Sequence, residues 1–191
     1  LLPAIPNVEP VKVFIKNAEG AGIFDGTTVI EVTDPDYPVS TVYGVVCLDG
    51  TVYVMNRDGQ IFGSNIYDYF NWDALNVIIA NAQADYGVAF CRQLNYIIAF
   101  KEYSTEFFYD AGNPTGSPLS KVTNALLNMG CATAGSIAFA DNTIYFMGAT
   151  QQHGRTIQKM EGYTPKYISN QYIDRILNAD SLTEVYSFVV K

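Results

Sequence analysis

The chain has 191 residues, 49% of them hydrophobic, which is ample for a packed core and argues against disorder. Nineteen acidic against eleven basic side chains leave a net charge of -8, and no basic run offers nucleic acid a local patch to grip. No apolar run approaches the roughly 18 residues of a membrane-spanning helix, so no membrane partner is expected. The sequence opens LLPAIP, without methionine and without a basic region leading into an apolar one, so a processed chain or a fragment of a longer one is expected.

Short β-like runs bounded by turn residues follow in chain order. VKVFIK comes first, then IFDGTTVIEV with Asp25-Gly26 inside it, then YGVVCLDGTVYVMNRDGQIF. Asp49-Gly50 and Asp58-Gly59 each sit between apolar runs, and Asp-Gly favours the positive φ angles of tight hairpins, so a meander is expected. The next stretch, DGQIFGSNIYDYFNWDALN, crowds aromatics and aspartates together and has the look of a ligand loop.

A repeat changes that reading. YGVVCLDGTVYVMN, YGVAFCRQLNYIIAF and GSIAFADNTIYFMG begin at Tyr43, Tyr86 and Gly135, 43 and 49 residues apart, which is the period of a four-stranded propeller blade. The expected fold is therefore all-β, one propeller-type domain over residues 1–191 built of meander blades. In this frame Asp58 and Gly59 make a hairpin turn and Ile61-Phe62 starts an outer strand. Trp72 and Leu75 become apolar anchors where the chain crosses to the next blade. Cys47 and Cys91 fall on equivalent first strands, and with Cys131 they read as small buried hydrophobes, since no metal-ligand or disulfide-framework spacing is present.

Helix signals are few. Ser169 and Asn170 are candidate caps for a short helix over 170–178, where Tyr172, Ile173, Ile176 and Leu177 recur at helical spacing. A turn or two of helix is also expected between Pro118 and Gly130. DAGNPTGSP, with two prolines and two glycines, is a loop by composition.

Motifs for chemistry are sparse. His153 in ATQQHGRT has Gln151, Gln152, Gly154 and Arg155 as neighbours and reads as a solvated hairpin turn. No phosphate-binding glycine loop, G-x-S-x-G or H-E-x-x-H occurs, so no cofactor, metal or catalytic residue is assigned. Asp34 and Asp36 flank Pro35 as turn formers, and no third ligand follows to make a calcium loop. NRDGQIF departs from the sialidase Asp-box, and Trp72-Asp73 occurs once without the Gly-His that opens a WD repeat. A carbohydrate-binding or glycan-hydrolysing propeller is the alternative, because paired carboxylates across a pocket would serve it.

The segments FIKNAEGAGIFDG, DGTVYVMNRDGQIFGSNIYDYFNWDAL, LNYIIAFKEYSTEFFYDAGN, Gly130-Cys131, AFADNTIYFMG and YTPKYISNQYIDRIL come in an order that resembles one family. It is the tail hub or nozzle proteins of short-tailed bacteriophages, also called packaged-DNA stabilisation proteins. The resemblance implies a non-enzymatic β-propeller of the virion tail. It implies a homo-oligomer, commonly a hexameric ring, beneath the portal and its adaptor, which retains packaged DNA, conducts it without sequence-specific binding and anchors spike or fibre proteins. Such proteins are usually much longer, so a fragment or a reduced relative is implied. Loops at the blade edges are the expected partner contacts: Asp34, Asp36 and Tyr37 in DPDYP, Asn113 and Thr115 in DAGNPTGSP, and Gln151, His153 and Arg155 in ATQQHGR.

Overall fold

The computed structural model describes residues 12–152, 154–182 and 184–190, and His153 lies outside them. Four antiparallel meander sheets follow one another along the chain. The first holds β1 (Val13–Lys16), β2 (Ala21–Phe24) and β3 (Val29–Glu31), and the second holds β4 (Val46–Leu48), β5 (Thr51–Met55), β6 (Gln60–Asn65) and β7 (Asp68–Ile79). The third holds β8 (Gly87–Gln93), β9 (Tyr96–Lys101), β10 (Thr105–Asp110) and β11 (Leu119–Lys121). The fourth holds β12 (Gly130–Cys131), β13 (Ala138–Ala140), β14 (Thr143–Thr150), β15 (Gly154–Glu161) and β16 (Thr164–Tyr167).

Two-residue turns set the hairpin registers. Asp49 and Gly50 take φ of 48° and 83°, and Asp141 and Asn142 take 47° and 59°, so both residues of each turn are left-handed, as tight hairpins require. With β4 and β5 pinned so that Val46 faces Tyr53, alternate residues point to opposite faces.

Both faces of each inner sheet are used. On β5, Val52 and Val54 point at the first sheet and pack with Ile23, Tyr37 and Trp72. Tyr53 and Met55 point at the third sheet and pack with Phe90, Ile97 and Phe108. On β9 the same alternation sends Ile97 and Ala99 back to the second sheet and Ile98 and Phe100 on to the fourth, against Ile144 and Phe146. That two-sided burial explains the near-continuous apolar runs TVYVM and YIIAF. Four sheets are thus stacked in sequence order through three apolar cores, the blade-on-blade arrangement of a propeller.

Several expectations require correction. Phe62 lies on β6, the third strand of its sheet, and the outermost strand is β7. Trp72 and Leu75 are both inside β7 rather than on a crossing to the next blade. Trp72 is buried, but Leu75 is 73% exposed and anchors nothing. Cys47 is exposed too, because Gln93 and Leu48 are the residues that precede equivalent turns, so Cys47 matches Arg92 and not Cys91. One residue of offset puts a strand side chain on the other face. The helix expected between Pro118 and Gly130 is replaced by β11, which pairs with β10. Gly130 is no helix cap either: it lies on β12, where a Cβ would stand 2.1 Å from the Lys101 carbonyl oxygen.

One helix, α1 (Gln171–Ala179), matches its expected position. The Asn170 side chain accepts hydrogen bonds from the Tyr172 and Ile173 N–H groups at 3.1 and 3.0 Å.

A buried ion pair pins the crossover between the second and third sheets. Lys101 Nζ, on a side chain 1% exposed, lies 2.8 Å from Asp85 Oδ1 and donates to the Gln83 carbonyl at 2.5 Å. Asp85 also accepts from the Tyr103 N–H at 2.8 Å and from the Ser104 hydroxyl at 2.9 Å. Burial pulls the Asp85 carboxyl upward, but the bonds from Lys101, Tyr103 and Ser104 outweigh it and hold the group below its ordinary value.

Candidate functional site

The innermost strands of all four sheets border one cavity of about 730 Å³. β1 supplies Phe14 to Lys16, the approach to β4 supplies Tyr43 to Val45, β8 supplies Phe90 to Arg92, and the fourth sheet supplies Ile137 and Phe139. The approach to β4 is brought close by Gly44, whose φ is 102° and whose absent Cβ would lie 1.8 Å from the Phe90 carbonyl oxygen. Beside it the Phe90 N–H donates to the Tyr43 carbonyl at 2.8 Å, joining the second sheet to the third.

The wall is mainly apolar and its charged members, Lys16 and Arg92, are both cations. Lys16 donates to the Val42 carbonyl at 2.5 Å and to Thr41 Oγ1 at 3.2 Å, and burial lowers its pKa. Arg92 donates to the Leu94 and Cys47 carbonyls at 2.6 and 2.7 Å. Cys91 and Cys131 are poor nucleophiles: burial pushes the Cys131 thiol up to about 11 and raises that of Cys91 further. Among the described residues no three His, Cys, Asp or Glu side chains are grouped to hold a metal. Nothing in the sequence marked Lys16 or Arg92; only the register of the inner strands brings them to one wall.

A second cavity, of about 440 Å³, lies at one end of the second and third sheets. Asp49, Asn95, Tyr96, Tyr109, Asp110 and Thr123 line it, combining aromatic rings with carboxylate, amide and hydroxyl groups.

The loop residues expected from sequence are placed as follows. Asp34 accepts from the Trp72 N–H at 3.1 Å, Asp36 accepts from the Ala74 N–H at 3.3 Å, and the Tyr37 ring meets Trp72 edge-on at 5.0 Å between centroids. DPDYP therefore seals the outer strand of the second sheet onto the first. Asn113 ties its own loop by donating to the Ser117 and Leu119 carbonyls at 3.1 Å, and Thr115 is exposed at the loop tip. That loop passes beside β7, with Leu75 O 3.7 Å from where a Cβ on Gly116 would stand. Gln151 is exposed beside Gln83, Tyr103 and Asn128 around a third cavity. Arg155 is occupied with α1, donating to the Leu177 and Asp180 carbonyls at 3.1 and 2.7 Å. Asp58 and Gly59 form the turn between β5 and β6, where the Ala80 N–H donates to the Gly59 carbonyl at 2.8 Å.

A protein-family model described as "Bacteriophage P22 Gp10, beta-propeller" matches residues 11–191. No curated protein matches the chain.

Proposed function

The chain belongs to the bacteriophage P22 Gp10 β-propeller family, structural proteins of the phage particle, and from that premise we propose that it forms part of the tail nozzle or hub below the portal. There it retains and conducts packaged DNA and anchors tail spikes or fibres. The observation that carries the reading is the family match over nearly the whole chain.

The dimensions of the cavity between the sheets bear on where such a conduit would run. A duplex, whose major groove alone is about 12 Å wide, does not fit a cavity of about 730 Å³. Its Lys16 and Arg92 would moreover hold phosphates rather than let them slide. In the proposed role the channel is therefore enclosed by several copies, a ring of six being the expected arrangement, and the axis between sheets serves the fold. Mixing the complete chain with its portal and adaptor and imaging the product tests this. A ring docked below the adaptor is the expected outcome; monomers beside an unoccupied adaptor complex would refute it.

The cavity of about 440 Å³ gives one specific ground for a second reading, glycan binding, because tyrosine faces beside Asp and Asn side chains suit a sugar ring. A glycan array on the wild-type chain and on Tyr109→Ala decides it: binding that the substitution abolishes supports the reading, and a blank array removes it.

A further inference from the structure

The cavity of about 440 Å³ at the end of the second and third sheets carries negative charge that nothing in its lining offsets. Asp49 enters it from the turn between β4 and β5 and Asp110 from the end of β10, and no lysine, arginine or histidine lines it. Asp110 accepts from the Gly112 N–H at 2.7 Å through Oδ1, and among the described residues neither carboxylate is in an ion pair. Beside them stand two rings: Tyr96, braced edge-on against Tyr163 at 5.1 Å between centroids, and Tyr109, which is exposed. Both walls belong to inner sheets, each packed on its two faces, so a further sheet at either end of the stack would leave this gap unchanged.

A second feature points to a ligand here. The Tyr53 hydroxyl is fully buried and makes no hydrogen bond. Its ring runs from β5 into the core that holds Phe108 and Leu119, beside the Asp110 end of β10. Burial first, then the charges of Asp110 and Asp49, hold its proton on, with Thr51 opposing them, so the phenol reaches toward the same two carboxylates that line the cavity. A buried donor without an acceptor is destabilising unless a partner completes it.

We propose that this cavity takes a sugar carrying a free amino group, its ammonium between Asp49 and Asp110, its ring against Tyr109 and the Tyr53 hydroxyl as a donor at its floor. The inference rests on the glycan reading and narrows it. An ammonium gains from two carboxylates and from tyrosine faces, whereas a carboxylated sugar meets like charge.

The complete chain is tested against glucosamine, N-acetylglucosamine and glucuronic acid, as terminal sugars on an array and as free ligands in calorimetry. Wild type should bind the free amine about tenfold or more tightly than its acetylated form, and should not bind the acid. Asp110→Asn, which keeps an acceptor for the Gly112 N–H, should remove that preference. Tyr53→Phe should weaken binding while its thermal midpoint stays at or above that of wild type, because the hydroxyl it deletes has no bond to lose. Binding that does not favour the amine, a preference intact in Asp110→Asn, or Tyr53→Phe binding like wild type each overturns the proposal and leaves the glycan reading standing. A blank array removes both.

Discussion

Asp85→Asn should be among the most destabilising single changes at the crossover between the second and third sheets. Asp85 is 6% exposed and holds three groups at once: the Lys101 ammonium at 2.8 Å, the Tyr103 N–H and the Ser104 hydroxyl. The amide keeps the shape but removes the charge and one acceptor oxygen, leaving the Lys101 ammonium, 1% exposed, without a counter-charge and setting the new NH2 against a donor that Asp85 had accepted. Removing one partner of a buried pair costs about 3–5 kcal/mol. Lys101→Met should cost less, because the stranded carboxylate keeps two donors, and the double variant should cost less than the sum of the singles by about 1 kcal/mol or more. Urea unfolding of the four proteins, with slopes checked for constancy, gives the cycle. A cost below about 1 kcal/mol for Asp85→Asn, the value of an exposed pair, would refute the account of the crossover as an electrostatically pinned junction.

The pair also sets an acid limit. A carboxyl held below its ordinary value adds stability that is complete above the unfolded value of about 3.9 and is lost as the pH falls through the lower folded value, so the gap in urea midpoint between wild type and Asp85→Asn should shrink from pH 7 to pH 3. Trp72→Ala should cost about 3–5 kcal/mol by opening the core between the first two sheets, whereas Leu75→Ser, a few residues along the same strand, should stay within about 0.5 kcal/mol; chemical denaturation compares them directly. Gly44→Ala should lower stability by more than about 1 kcal/mol, since its φ is 102° and the new methyl would meet the Phe90 carbonyl oxygen at 1.8 Å; a thermal midpoint equal to wild type would mean the approach to β4 is loosely held.

How much of this was legible in the sequence depended on the range of the interaction. Local chemistry was readable: the Asp-Gly turns, the Asn170 cap and the apolar runs of β5 and β9 involve neighbours in the chain, and each lies where its pattern puts it. Choices made by a partner strand were not. On β7 the register slips twice against β6, between Phe62 and Ser64 and between Ser64 and Asn65, so the alternation that would have separated Trp72 from Leu75 is interrupted. The bulge is made tolerable by Ser64, whose hydroxyl accepts the Val52 N–H at 3.0 Å, a bond across 12 residues of sequence. Residues 119–121 form a strand because β10 offers them an edge, and nothing within PLSKVTNALLNMG announces that edge. Lys101 and Asp85 are 16 residues apart and ordinary in composition; folding alone makes them a pair.

The net charge is explained by the same distinction. Several aspartates are turn parts: Asp25 accepts from the Thr27 and Thr28 N–H groups, Asp110 from Gly112 and Asp180 from Leu182. A meander needs a turn for every strand, and a short carboxylate that accepts the N–H two residues on is one of the cheapest ways to make one. Acidity therefore accumulates at the ends of the sheets as a by-product of the fold, while the charged side chains on the mainly apolar wall of the cavity between the sheets, Lys16 and Arg92, are cations. The charge of -8 thus carries no weight by itself for a DNA conduit. It bears on the conduit only if the sheet ends of several copies face a common channel, and that is a property of the assembly rather than of the chain.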